Sequence, residues 1–166
     1  MSSLIQLSDA EIDALIHEPK STPGSLFPLR LIEHNKHRRK DYPVSSASGN
    51  EFVIAVRQAV PNPFNFSVIL SYRMPGYNTL FRLRRYNGRH GGHTNEIEGD
   101  EIGDKCHVHT ATERYQKLGA KEEGYAVETT RYSDLNGAVH CLLEDCGFIP
   151  PPPDPQGNLN FTGTTS

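Results

Sequence analysis

The segment EFVIAVRQAVPNPFNFSVILSYRMPGYNTLFRLRRYN, residues 51–87, decides the fold class. It contains three runs rich in β-branched and aromatic residues, at 51–58, 66–73 and 79–87, which the turn-forming stretches VPNPFN and MPGYN separate. Parallel strands need a connection of about a dozen residues or more, usually a helix, and none separates these runs. The segment therefore predicts an antiparallel meander.

Alternation along the third run predicts two chemically different sheet faces. Phe81 and Leu83 should point to an apolar side. Arg82, Arg84 and Tyr86 should point to the opposite side, which would then be cationic with an aromatic ring at its end. Because several RNA-binding folds hold phosphates with arginines and stack bases on aromatic rings of an open sheet, this face is a candidate nucleic-acid surface.

Helical signals lie on both sides of these strands. Ser8 and Glu11 form a capping box before apolar residues at helical spacing, which are Ile12, Leu15 and Ile16. A second helix is expected between Ser133 or Asp134 and Gly147. We therefore predict an α+β fold, in which an antiparallel sheet of about four to five strands is flanked by an N-terminal and a C-terminal helix.

The chain length fits one domain, which we place at residues 1–148. Within it, the Pro-, Ser- and charge-rich residues 19–50 predict a loop or basic arm around the run HNKHRRKD at 34–41. Residues 149–166 predict a Pro-rich, disordered tail.

Basic residues concentrate in the middle of an acidic chain. Residues 20–90 carry 12 bases and 3 acids, although the net charge of the whole chain is −3. Such a block indicates an anion-binding surface, or a solvated face that the protein's own acids neutralise. The candidate nucleic-acid-binding residues are Arg38, Arg39, Lys40, Arg82, Arg84, Tyr86 and Arg89.

Histidines cluster after the meander. Residues 89–115 contain four of the chain's eight histidines, which are His90, His93, His107 and His109. If residues 106–110 form a strand, His107 and His109 lie on one face at about 6–7 Å between Cα atoms. His90 and His93 would join them if the intervening excursion closes as a hairpin. We expect these side chains to form a chemical site.

One interpretation of this cluster is metal-independent cleavage of RNA. One histidine would act as general base on a ribose 2′-hydroxyl and another would protonate the 5′-oxygen, with arginines on the phosphate. The sequence does not assign acid and base between His107 and His109, and His90 or His93 would be a third participant. The candidate catalytic residues are His90, His93, His107, His109, Arg114 and Tyr115, and no cofactor is needed.

The second interpretation is a divalent-metal site, such as one for Zn. His107, His109 and Glu113 form the pattern HxHxxxE, to which His90 or His93 would add ligands. A third is a hydrogen-bond network of structural histidines that fixes the loop. All three stay open from the sequence.

Nothing in the sequence indicates membrane insertion or export. No apolar stretch approaches the roughly 20 residues that a bilayer span needs, and the N-terminal residues lack the pattern of a signal peptide. The three cysteines, Cys106, Cys141 and Cys146, form no CxxC pair and suit a reducing compartment. We therefore expect a cytoplasmic protein.

The order FRLRRYNGRHGGHTN, acidic loop, HVHTATERYQ, strand and C-terminal helix resembles a family of small uncharacterised bacterial and phage proteins with RYNG, HTN and HxHxATERY signatures. The resemblance runs from the opening helix to Phe148. It implies no known activity.

More loosely, the chain is similar to the TumE-type toxins of toxin–antitoxin systems. The residues that would match are Arg85, Tyr86 and Asn87, then His90 and His93, then His107 and His109. This chain is longer, adds an N-terminal arm and inserts an acidic loop, Glu96–Asp104, between the histidine groups. The resemblance implies a growth-inhibiting, nuclease-like toxin.

We therefore expect an RNA-cleaving toxin or defence-associated ribonuclease that belongs to bacteria or their phages. The alternatives are a metal-binding protein or metalloenzyme, and a non-catalytic phage or bacterial protein that binds nucleic acid, nucleotide or a host protein. Candidate partners are RNA, a cognate antitoxin or host target protein, and a second copy of the chain in a homodimer.

Overall fold

The computed structural model describes residues 6–150. The helices are α1 (Asp9–His17), α2 (Glu113–Leu118) and α3 (Leu135–Asp145). The strands are β1 (Lys20–Ser21), β2 (Ile32–His34), β3 (His37–Ser45), β4 (Glu51–Ala59), β5 (Phe66–Arg73), β6 (Leu80–Asn87), β7 (His93–Thr94), β8 (Glu101–Ile102), β9 (His107–Thr110), β10 (Tyr125–Glu128) and β11 (Phe148–Ile149). No helix in this part of the chain is both long and apolar enough to cross a membrane.

The main sheet of the described chain has seven strands in the order β10-β9-β6-β5-β4-β3-β2, and every pairing in it is antiparallel. The meander predicted from residues 51–87 is confirmed, because β4, β5 and β6 are consecutive neighbours in the sheet. Two small pairs stand apart from it: β1 with β11, which is parallel, and β7 with β8.

Two helices cover one face of the sheet. Ile12 and Ile16 of α1 are buried, as are Leu135, Val139 and Leu142 of α3, and all belong to one core cluster with alternate residues of β3 to β6. The predicted capping box of Ser8 and Glu11 starts α1, and Asp134 caps α3. The prediction of an α+β fold with a terminal helix at each end is confirmed.

The segment predicted as a loop or basic arm, residues 19–50, contains one long strand and two short ones. Residues 37–45 form β3, which pairs with β4 along its whole length, so the sheet has more strands than expected. The sequence of β3 shows little alternation of apolar and polar residues, because Tyr42 and Val44 are its only buried residues. The predicted tail also begins later, since Ile149 pairs with Ser21, and the rest of it, from residue 151, lies outside the described residues.

A β-bulge in β6 changes which side chains share a face. Ser71 faces Arg82 and Leu70 faces Arg84, so Leu83 is the extra residue. The expected grouping of Arg82, Arg84 and Tyr86 is therefore wrong, because the bulge turns the last two toward the helices. Arg85 takes a place on the opposite side instead.

Candidate functional site

The side of the sheet away from α1 and α3 carries mostly polar side chains, and we call it the polar face. Residues directly opposite one another in antiparallel strands point to the same side, so the register defines its members. They include Arg39, Arg57, Ser67, Arg82, Arg85, Asn87, His107 and His109.

Three histidine rings meet at the β9 end of this face. Alternation along β9 puts His107 and His109 on the same side, with ring centroids 5.1 Å apart. The β7–β8 excursion brings His93 over them, at 5.8 Å from the His107 ring and 4.7 Å from the His109 ring. The excursion closes as the β7–β8 hairpin, which is the condition under which the sequence placed His93 beside His107 and His109.

Hydrogen bonds to carbonyl oxygens fix the three rings. His107 Nδ1 donates to Lys105 O at 2.8 Å, and His109 Nδ1 donates to Glu123 O at 2.8 Å. His93 Nε2 donates to Gly124 O at 2.9 Å and to the side-chain oxygen of Asn95 at 3.0 Å. Since carbonyl oxygens only accept, these nitrogens carry the protons, and the other nitrogen of each ring is left as an acceptor.

Burial keeps the two β9 histidines neutral. His109 is 8% exposed, and burial, followed by the neighbouring His107 and His93, lowers its pKa to about 3. Burial also lowers the pKa of His107, with a smaller contribution from His93. At neutral pH both rings are therefore in the neutral form.

A cleft of about 270 Å³ opens over these rings. It is lined by Arg85, Asn87, His90, Gly92, His93, His107, His109, Lys121, Glu123 and Gly124. The structure thus brings together all four predicted histidines, of which His90 is exposed to solvent. It adds two cations, Arg85 and Lys121, and one carboxylate, Glu123, that the sequence did not single out as site residues.

Glu123 is the most buried charged group of the cleft, at 2% exposure. Its Oε2 accepts hydrogen bonds from Arg85 Nη2 at 2.7 Å and Nε at 3.2 Å, and Arg82 Nε lies 3.1 Å away. Burial opposes its ionisation, but the hydrogen bond from Arg85 and the charges of both arginines outweigh burial and lower its pKa. Its Oε1 is buried and has no hydrogen-bond partner among the described residues.

Three other predicted site residues do not line the cleft. Arg114 Nε and the Tyr115 hydroxyl both donate to Glu98 at 2.7 Å, and Tyr115 is buried. These two residues therefore hold the acidic loop Glu96–Asp104. Glu113 pairs with Lys117 at 3.0 Å on α2. Within residues 6–150, no group of three or more His, Cys, Asp or Glu side chains is placed to hold a metal ion.

Two residues predicted to bind nucleic acid lie among the core contacts instead. Tyr86 has no exposed surface, and its hydroxyl donates to Asp145 Oδ2 at 2.7 Å and accepts from Arg84 Nη1 at 3.2 Å. Arg84 is half-buried and lies 3.6 Å from Asp145. The interpretation of Tyr86 as a base-stacking surface ring is corrected by its burial against α3.

The remaining basic candidates divide between the two faces. Arg38 and Lys40 alternate with Arg39 and share the helix side of β3 with Tyr42, where Arg38 Nη2 donates to Gln58 at 2.7 Å. Arg39 lies on the polar face and pairs with Asp41 at 3.1 Å. Arg89, beyond the end of β6, stacks over the Phe64 ring at 4.2 Å.

Fold and site together define a small α+β protein with a histidine cleft at one end of the polar face of an antiparallel sheet. The chain belongs to a family of unknown function (DUF6978), whose model matches residues 7–147. No curated protein and no solved structure matches the chain.

Sequence patterns could find the histidines but not their partners. Four histidines within residues 89–115 are a compositional signal that needs no structure. Glu123 follows another glutamate in a short polar connection, KEEGY, which looks like any solvated turn. Arg85 reaches the cleft only because of the bulge at Leu83, which depends on the register with β5.

Proposed function

We propose that the protein cleaves RNA without a metal ion, as a toxin or a defence-associated ribonuclease. The observation that carries this proposal is the meeting of three imidazoles in one cleft, each with one nitrogen hydrogen-bonded to a carbonyl oxygen. The second nitrogen of His107 faces the Asn87 amide at 3.4 Å. A general base must be neutral before it takes a proton, and the charge of a bound phosphate would raise the lowered pKa values of His107 and His109 toward the working range.

In the proposed reaction, one histidine acts as general base and another as general acid. The Nε2 atom of His107 or His109 takes the proton of a ribose 2′-hydroxyl while the 2′-oxygen forms a bond to phosphorus. The bond from phosphorus to the 5′-oxygen breaks, and His90, which lines the cleft and is exposed, protonates that leaving oxygen. The products are a 2′,3′-cyclic phosphate and a 5′-hydroxyl end.

Two cations of the cleft support binding of the phosphate. Arg85 and Lys121 line it together with the histidines, so they would stabilise the charge that develops on the phosphoryl oxygens. Arg85 takes this role in place of Arg82, Arg84 or Arg114, which the sequence suggested. Its guanidinium is already oriented by Glu123, which reduces the entropy lost on binding.

A growth-inhibiting role is supported by the similarity of the RYN and histidine elements to TumE-type toxins. A cytoplasmic RNA substrate and a neutralising antitoxin partner follow from that role. Metal binding by the same histidines is the alternative, and the experiment below separates it from metal-independent cleavage.

The proposal is tested by incubating purified protein with total RNA in excess EDTA. We expect cleavage by the wild type and by His34→Ala, a control on the exposed edge strand β2, and a rate about 10²–10⁴ times lower for His109→Ala. The fragments should carry 2′,3′-cyclic phosphate ends.

Intact RNA after incubation with the folded wild type would overturn the proposal. Cleavage that disappears with EDTA and returns with an added divalent metal would move the chemistry to a metal site. Metal analysis of the untreated protein would then identify the ion.

A further inference from the structure

A row of polar-face residues leads across the sheet to the histidine cleft. The register places Arg39, Arg57, Ser67, Asn87 and His107 directly opposite one another on five neighbouring strands. With about 4.8 Å between strands, the row extends roughly 19 Å from the first arginine to the catalytic end. Exposure falls along it, from exposed arginines to a buried histidine.

Arg57 is the cation on this row that lacks a counterion. It is exposed, and no carboxylate among the described residues lies within ion-pair distance of its guanidinium. Burial of part of the side chain lowers its pKa, and the charges of Arg39 and Arg85 lower it further, whereas Asp41 opposes them. Crowded guanidinium groups repel one another, and an anion bound between them would relieve that repulsion.

The residues between these arginines on the polar face are small or aliphatic. Ala55 and Ile69 lie in the next row of the polar face and are buried, yet neither belongs to the core cluster under the helices. Ser67 and Ser71 complete this floor. The arginines around this floor supply the charge with which proteins hold a nucleic-acid backbone.

We propose that the polar face binds the backbone of single-stranded RNA, with phosphates at Arg57 and Arg39 and the bond to be cleaved in the histidine cleft. A duplex is excluded because His107 and His109 are 6% and 8% exposed, and a rigid A-form helix cannot bring its backbone down to them. A row of roughly 19 Å suits a segment of about four nucleotides, at the short end of single-strand binding sites. The proposal rests on the RNA-cleaving function proposed above.

The proposal is tested by measuring binding of a fluorescent 2′-O-methyl oligonucleotide, which cannot be cleaved, by anisotropy over a range of salt concentrations. Arg57→Ala and Arg39→Ala should each weaken binding several-fold at low salt and reduce the slope of log K against log salt by about 0.7, the value for one phosphate contact of a single strand. Lys117→Ala, which removes the same charge from the exposed surface of α2, should change neither quantity.

Kinetic measurements distinguish a role of Arg57 in RNA binding from an effect of its replacement on the stability of the fold. On single-stranded RNA, Arg57→Ala should raise KM several-fold more than it lowers kcat, with an unchanged Tm. Preference for a duplex of the same sequence would overturn the proposal.

Different results would contradict the RNA-binding surface and the ribonuclease function. No binding by the wild type, or equal losses in Lys117→Ala and Arg57→Ala, would overturn the RNA surface. Arginine-dependent binding by a protein that cleaves no RNA would support the surface and overturn the ribonuclease function.

Discussion

At the scale of single residues, the cleft depends on a histidine that stays neutral well below the usual pH range of imidazole. The pKa of His109 falls from 6.5 to about 3 on folding, mainly through burial. Above pH 6.5 both the folded and the unfolded state hold the ring neutral, so the shift has no effect there. As pH falls below 6.5, the ring becomes protonated in the unfolded state but stays neutral in the folded state, so the free energy of unfolding decreases.

This linkage predicts a pH-dependent stability that His109 controls. Between pH 6.5 and the folded-state pKa, the free energy of unfolding should fall by about 1.4 kcal/mol for each unit by which the pH is lowered, because of His109. His109→Asn, whose amide can still donate to Glu123 O, should flatten the dependence by that amount. Urea denaturation at several pH values from 7.5 down to 5 measures both slopes, and identical slopes in the two proteins would contradict the assignment.

The carboxylate of Glu123 predicts a second, independent effect on stability. Glu123→Gln keeps the volume but removes the charge that balances Arg85 and Arg82, so it should cost about 2–3 kcal/mol. Glu128→Gln, which only breaks an exposed pair with Lys105, should cost less than about 1 kcal/mol. Chemical denaturation at pH 7 compares them, and equal losses would show that burial does not strengthen the Glu123 pair.

At the scale of elements, the sequence predicts the strands and helices whose apolar, buried residues follow a recognisable pattern along the chain. The runs of β4 and β5 are recognisable because almost every residue in them is apolar or buried. β3 is not, because it presents polar residues to solvent on both faces over much of its length. The bulge in β6 depends on which residues of β5 it pairs with, and no local signal carries that information.

The side-chain amide of Asn95 joins the β7–β8 excursion to β10, where no backbone pairing between the described strands does so. Asn95 is fully buried, accepts from Ala126 N at 2.8 Å and donates to Ala126 O at 2.9 Å. The same side-chain oxygen accepts from His93 Nε2. The asparagine of the HTN element therefore attaches the excursion to β10 and orients the histidine at the same time.

Replacement of this amide should release the excursion. Asn95→Ala removes both contacts with the Ala126 backbone, and we expect a loss of about 2–4 kcal/mol with faster amide hydrogen exchange in residues 93–104. Thr94→Ala, at the exposed neighbouring position, is the matched control. Exchange in this segment that stays as slow as in the wild type would show that other contacts, such as those of Glu98 with Arg114 and Tyr115, are sufficient.

At the scale of the whole molecule, the basic block of residues 20–90 does not form one surface. Arg39, Arg57 and Arg85 reach the polar face, which agrees with an anion-binding role. Arg84 is neutralised by contacts with α3, and Lys20 is 1% exposed. Sequence alone could not divide the block, because the division depends on strand register and on the packing of the two ends of the chain.

Lys20 joins those two ends. The three N–H groups of its ammonium are shared among four carbonyls, those of Leu15, Ile16 and Glu18 at the end of α1 and that of Cys146 after α3, at Nζ···O distances of 2.7–2.9 Å. Its Nζ also lies 4.6 Å from the centre of the Phe52 ring. One buried cation thus satisfies carbonyl groups that the ends of both helices leave unpaired.

Removal of this cation should therefore destabilise the whole fold rather than one helix. Lys20→Met keeps the aliphatic volume but leaves four carbonyl groups without their donor, so we expect a loss of more than about 3 kcal/mol in a single cooperative transition. Lys117→Met, on the surface of α2, should change stability by less than about 1 kcal/mol. Urea denaturation followed by circular dichroism and tyrosine fluorescence measures both variants. Separate transitions for the two probes in Lys20→Met would show that the lysine holds α1 alone, and not the junction of the two termini.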